Sequence, residues 1–355
     1  MGIKIDCDSH FSPKDAFDEV DPKFYARGPK IVSGASGRSV TVYPERTEQL
    51  LPFMWNYPTQ FNMGPGQHRG IWDVDTRVND LGKIGFDKQV LIPQGAPYAY
   101  DVPAEMGASV CRSANNAMAR AVAKHPDDFL GLAVLPMQDI KLAIEELERS
   151  VQLGLYPHIQ THIQDRNLDE YELWPFYERV EALDVPLILH SSHVSITAGA
   201  HRYKKYRFGN ALQFPMESWT AIGSLICGGV LDTFPKLRVA TVEAGAGHLP
   251  YLFQRLNEVA TEEPEWTKVS IKKLPIEYLD QFWFTFNIAT EAPLLPSLIE
   301  YIGADRLLLT SDYPHGLAGS GANPVETLET LETVSPVDKE KMEGLNAAEL
   351  FKLEI

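Results

Sequence analysis

The sequence predicts an α/β protein, a (β/α)8 TIM barrel with a long N-terminal insertion after its first strand. Two observations predict it. Eight short apolar, β-rich runs alternate with helical stretches along the 355 residues, and such alternation marks a parallel sheet built from strand–helix units. Several of these runs end in a carboxylate or a histidine, which is where a parallel barrel keeps its chemistry. An open doubly wound sheet is the alternative, but no Gly-x-Gly-x-x-Gly turn follows the first strand to support it.

The elements follow in order. Residues 3–8 read as the first strand, and the alternation of Asp6, Asp8 and His10 with Cys7 and Ser9 predicts three polar groups on one face. From 12 to 69 the pattern fails; this Pro-, Gly- and aromatic-rich stretch reads as a lid or an interface arm, or as a surface loop with its own small apolar cluster. A helix over 73–85 precedes a strand at 88–92, and a helix over 104–124 precedes a strand at 129–136. The helix of 139–153 has Asp139 as its N-cap and Gly154 as its stop. Strands at 155–161, 186–190, 238–243, 282–287 and 306–310 complete the set, with helices at 169–183, 211–231, 249–259, 291–301, 325–334 and 337–351. The whole chain, 1–355, reads as a single domain.

Composition narrows the function classes. The chain is 44% hydrophobic and 23% charged, an ordinary globular balance. Its 32 basic and 48 acidic residues give a net charge of −16, which repels nucleic acid and anionic membranes. Three cysteines, Cys7, Cys111 and Cys227, without a Cys-x-x-Cys pattern suit a reducing compartment rather than a disulfide framework. With no leader pattern and no apolar run long enough to cross a bilayer, the expected location is cytoplasmic.

The chemistry is expected at the strand ends. Asp8 and His10 end the first strand, His190 the fifth, Glu243 the sixth, and Asp312 follows the eighth in RLLLTSDYPH. In a barrel these positions converge on one mouth, and a nitrogen–oxygen set without thiolate suits Zn2+, Mn2+, Fe2+ or Co2+. His248, in the Gly-rich turn after Glu243, is a further candidate ligand, beside a helix start that is itself suited to an anion. His315 is a candidate to orient a ligand or act as an acid, or is a hydrogen-bonded loop residue. His162 and His193 lie near the same mouth, whereas His158, inside the fourth strand, reads as structural. Arg207 belongs to a basic run with Arg202, Lys204 and Lys205, from which one side chain is expected to reach an anionic substrate.

The stretches IDCDSHF, PDDFLGLAVLPMQD, THIQDRNLDEYELWPFYE, VPLILH, FPKLRVATVEAGAGHLPYL and IGADRLLLTSDYPHG resemble the amidohydrolase-related metal-dependent TIM barrels that include aminocarboxymuconate-semialdehyde decarboxylase and γ-resorcylate decarboxylase. The resemblance implies a divalent metal, Zn2+ or Mn2+, held by Asp8, His10, His190 and Asp312, with His162 lining the substrate pocket and His315 behind the ligands. The leading reading is a lyase or hydrolase acting on a small carboxylated, aromatic substrate, with Asp312 or Glu243 as proton carrier. The departure is Glu243, where decarboxylating members usually carry a histidine. With surplus ligands, that departure leaves open a two-metal, iron-containing oxygenase on the same barrel. A structural partner of an active paralogue is a third reading. The expected assembly is a homodimer or a complex with a related chain.

Overall fold

The computed structural model describes residues 2–33, 39–42, 69–93, 98, 100–191, 209–262, 271–315 and 323–354. Its strands are β1 (Ile5–Phe11), β2 (Lys30–Ser33), β3 (Ser39–Val42), β4 (Lys88–Pro93), β5 (Phe129–Val134), β6 (Leu155–Gln160), β7 (Leu187–His190), β8 (Val239–Val242), β9 (Phe282–Phe286) and β10 (Leu307–Leu309). β1 and β4 to β10 form one eight-stranded parallel sheet in chain order. The helices between them include α1 (Val74–Ile84), α2 (Ala104–Lys124), α3 (Ile140–Gln152), α4 (Trp174–Leu183), α5 (Phe214–Cys227), α6 (Leu249–Glu262) and α7 (Leu295–Ile302). This is the predicted strand–helix alternation, and the sheet curls into a nearly closed barrel.

Closure is made by main chain. Asp312 N–H donates to Asp8 O at 3.0 Å, and His10 N–H donates to Tyr313 O at 2.7 Å. The segment that follows β10 therefore completes the ring against β1. Local chemistry fixes the elements around it. Asp73 caps α1 through the Asp75 and Thr76 amides, and Asp139 caps α3 through the Leu142 amide. Gly85 ends α1 at φ 89°, a left-handed turn in which a Cβ would sit 2.2 Å from Asn323 Oδ1. Ile5, Cys7, Val90, Ile188 and Leu308 fill the barrel interior, and Ala347, Leu350 and Phe351 near the C-terminus pack onto that cluster.

The structure changes four expectations. The register of β1 against β4 slips between Asp6 and Ser9, a bulge that breaks the simple alternation. Asp6 consequently does not share the face of Asp8 and His10. It lies on the helix side, accepting from Gln89 Nε2 (2.8 Å), Ser311 N–H (2.9 Å) and the Ser311 hydroxyl. Burial pushes its carboxyl upward, and the Ser311 and Gln89 bonds only partly reverse this. The stretch expected to be irregular contains an antiparallel hairpin, β2 with β3; residues 34–38 and 43–68, most of the expected lid or arm, lie outside the described residues. The helix expected over 211–231 begins with a π-helical turn at Gly209–Gln213 and breaks before Gly229, which is left-handed at φ 78°. The helix expected over 337–351 is likewise interrupted, by a π-helical turn at Lys341–Leu345.

Beside the seam lies Arg77, fully buried on α1. Its guanidinium donates to Gly70 O (2.9 Å), Ser9 Oγ (2.9 Å), Gln89 Oε1 (3.2 Å) and His10 O, and it stacks 4.5 Å from the centre of the Tyr313 ring. Burial lowers its pKa to about 10, so it stays charged. Arg77→Met removes the donors to two buried carbonyls, so it is expected to lower the unfolding free energy by about 3–5 kcal/mol, read by denaturant titration.

Candidate metal centre

β1, β7, β8 and the turn after β10 bring their ends together. Asp8, His10, His190 and Glu243 each offer a ligand atom within 4.8 Å of the others, and His10, Asp312 and His315 form a second, overlapping group on the same limit. His10 Nε2 lies 3.1 Å from Glu243 Oε2, 3.2 Å from Asp312 Oδ1 and 3.8 Å from Asp8 Oδ1. His190 Nε2 meets Glu243 Oε2 at 2.5 Å, while its Nδ1 is fixed by Ser191 O at 2.6 Å. The His315 ring centre is 4.9 Å from that of His10.

The backbone is bent to make this arrangement. Glu243 and Asp312 both take left-handed φ values, 57° and 55°, immediately after their strands. Side chains other than glycine rarely adopt that conformation, and such strain gathers at functional sites. In the turn after Asp312, the His315 amide donates to Asp312 O at 2.6 Å.

Electrostatics set the site apart from an ordinary hydrogen-bonded core. Burial and the neighbouring negative charges push Asp8 well up, although His10 opposes them. Burial opposes protonation of His10, but Glu243 and Asp312 reverse this and raise it well above the usual imidazole range. Burial would also raise Glu243, yet His10 and His190 hold it well below the carboxylate range. Asp312 is pushed up to about 6 by burial and by the Glu243 charge, with His10 opposing. Three carboxylates thus crowd one buried pocket.

A divalent metal fits these residues. Asp8 Oδ1 and Oδ2, His10 Nε2 and Asp312 Oδ1 are buried, and none makes a hydrogen bond of ordinary geometry. Buried polar atoms left this way cost free energy unless something binds them. The hard oxygen and imidazole donors suit zinc or manganese. Asp8, His10, His190 and Asp312 would hold the ion, with Glu243 within reach of the same centre.

The remaining candidates divide. His162, after β6, places Nδ1 2.6 Å from Gln164 O and Nε2 3.7 Å from Glu217 Oε2. Glu217 is a buried acid on α5 that also accepts from Thr161 Oγ1 at 3.3 Å. His248 is not in either ligand group: its Nδ1 accepts from the Trp219 indole at 2.6 Å, and burial lowers it to about 4. The helix start beside it holds an internal anion, since Glu291 Oε1 accepts from the Ala246 and Gly247 amides at 2.8 and 2.6 Å. His193 and Arg207, with the rest of the basic run, lie outside the described residues. Sequence reasoning missed Glu217, Arg77 and Tyr98. Glu217 sits inside a helical pattern with no strand-end signal, and Tyr98 reaches His158 Nδ1 at 2.5 Å only through the fold.

Because ligand protons must leave before a metal binds, the raised carboxyls of Asp8 and Asp312 and the raised His10 make binding compete with protonation. Divalent-metal affinity is expected to rise with pH through about 6, where Asp312 loses its proton. His10→Ala is expected to weaken it by about 100-fold or more. Titration calorimetry on chelator-stripped protein at several pH values checks both.

The chain aligns with characterised decarboxylases over most of its length. It is 29% identical over 286 residues to the 2-amino-3-carboxymuconate-6-semialdehyde decarboxylase of Dictyostelium discoideum, covering 80% of this chain and 77% of that one. It is 30% identical over 292 residues to a γ-resorcylate decarboxylase from a Polaromonas species, covering 79% and 87%. Among solved structures, a Polaromonas dihydroxybenzoic acid decarboxylase with bound manganese and 2-nitroresorcinol superposes with a TM-score of 0.74 at 26% identity, over 99% of this chain and 98% of that one. The 5-carboxyvanillate decarboxylase of Sphingomonas paucimobilis shares the fold, with a TM-score of 0.77 at 22% identity and full coverage of both chains. The amidohydrolase family model matches residues 5–353, and this chain belongs to that family.

Proposed function

We propose that this protein is a metal-dependent decarboxylase that releases carbon dioxide from a small carboxylated aromatic substrate. The observation that carries this reading is the convergence of Asp8, His10, His190, Glu243 and Asp312 at the barrel mouth, in a chain similar to decarboxylases, among them ones named for γ-resorcylate and dihydroxybenzoic acid. A divalent ion, zinc or manganese, held by these residues would supply Lewis-acid chemistry there.

The chain's own groups then carry the proton. Asp312, itself one of the proposed ligands, has a second carboxylate oxygen that can carry a proton, a form that burial and the Glu243 charge favour. It delivers its proton to the ring carbon that bears the carboxylate. The bond from that carbon to the carboxylate then breaks, its electron pair returns to the ring, and carbon dioxide leaves. Asp312 recovers a proton from water, so the sum is replacement of a carboxylate by hydrogen. Glu243, held anionic between His10 and His190, fixes both imidazoles. His162, backed by Glu217, lines the pocket side of β6. His315, beside His10, steadies that ligand.

Asp312→Asn is expected to reduce carbon dioxide release by about 10²–10⁴-fold, the usual contribution of a positioned acid. A panel of hydroxylated benzoates, assayed by carbon dioxide release on metal-loaded protein, provides the measurement. About one metal per chain and no oxygen uptake support the reading. Two metals including iron, with oxygen consumed in step with substrate, would replace it with the oxygenase and make Glu243 a ligand.

A further inference from the structure

The interior face of β6 carries two polar atoms that the proposed chemistry leaves unused. His158 and Gln160 are 1% and 4% exposed, and His158 Nε2 and Gln160 Oε1 have no hydrogen-bond partner. They stand two residues apart on one strand, so their side chains leave the same face. Both adjoin a proposed metal ligand. Gln160 is the strand partner of His190, and the His158 ring centre is 5.9 Å from that of His190.

The hydrogen bonds at the other end of the imidazole decide what His158 offers. Tyr98 has one hydroxyl proton, and it points to Pro93 O at 2.8 Å. Pro93 O can only accept. The 2.5 Å contact between Tyr98 and His158 Nδ1 must therefore be a bond donated by His158. A neutral imidazole protonated at Nδ1 presents a bare lone pair at Nε2. The ring is 1% exposed and no carboxylate bonds either nitrogen, an environment that favours the neutral form. The amide oxygen of Gln160 is an acceptor as well. The wall beside His190 thus shows two acceptors and calls for a group with two donors.

We propose that His158 and Gln160 form a specificity pair that recognises a primary amino group on the carboxylated substrate, one N–H to each acceptor. With Gln160 Oε1 turned to the site as it is here, a hydroxyl, with one donor, satisfies half of the pair, and a dialkylated amine offers no donor. This inference rests on the carboxylate-binding site proposed above, and it concerns which ring substituent that site selects.

The test is binding to manganese-loaded protein, read by calorimetry, of benzoate, the three aminobenzoates and their N,N-dimethyl counterparts. At least one aminobenzoate is expected to bind about tenfold or more tighter than benzoate, and its dimethyl counterpart is expected to lose that advantage. In Gln160→Leu, and separately in His158→Leu, the advantage should fall below about threefold. If His158→Leu does not fold, Gln160→Leu alone decides. Equal binding of benzoate and all aminobenzoates, or an advantage that survives in a folded variant, overturns the pair while leaving the carboxylate site intact. Loss of one of two bound metal equivalents in a variant overturns it in favour of a second cation site. Failure of every ligand to bind overturns the carboxylate site and the pair together.

Discussion

The structure depends on a seam that serves two purposes. The barrel closes where Asp312 N–H meets Asp8 O and His10 N–H meets Tyr313 O. Three of those four backbone groups belong to residues whose side chains crowd the mouth; the fourth is that of Tyr313, whose aromatic side chain packs on Arg77. The ring therefore cannot close without bringing Asp8, His10 and Asp312 together. Around the seam, Asp6 is bonded to Ser311 and Gln89, and Arg77 ties the His10 carbonyl to α1. The cost of burying carboxylates is met from outside by a hydrogen-bonded layer and from inside by a centre suited to a cation.

Much of this was legible in the sequence. Asp139 before an amphipathic run and Gly154 after it mark α3 without any knowledge of the fold. The strand ends carrying Asp8, His10, His190, Glu243 and Asp312 were visible because apolar runs stop abruptly at ionisable residues. What stayed hidden depends on tertiary register. No local signal announces the bulge that turns Asp6 outward, since strict alternation is the simplest reading of DCDSH. The acceptor role of His158 was equally hidden. It follows from a tyrosine 60 residues away in sequence. The Gly-rich turn after Glu243 has the sequence of an anion site, and its amides do hold a carboxyl group, that of the chain's own Glu291.

Glu243 shows how a third buried carboxylate is accommodated. A carboxylate at that strand end could have repelled Asp8 and Asp312 enough to open the mouth. Instead its Oε2 lies between His10 and His190, which together hold it ionised. Its negative charge faces the two imidazoles, while burial and that charge favour the protonated forms of Asp8 and Asp312. The division of labour between an anionic and a protonated carboxyl is a recurring way to run acid chemistry near neutrality.

Glu291 has a consequence for substrate choice. In barrels of this architecture the loops and helix starts at the mouth often cradle a phosphate through free amides. Here the amides of Ala246 and Gly247 are already bonded to Glu291, and so is that of Asn287. A phosphorylated metabolite would have to expel a covalently attached competitor from that cradle. This loop therefore offers a phosphate no open amide at Ala246, Gly247 or Asn287.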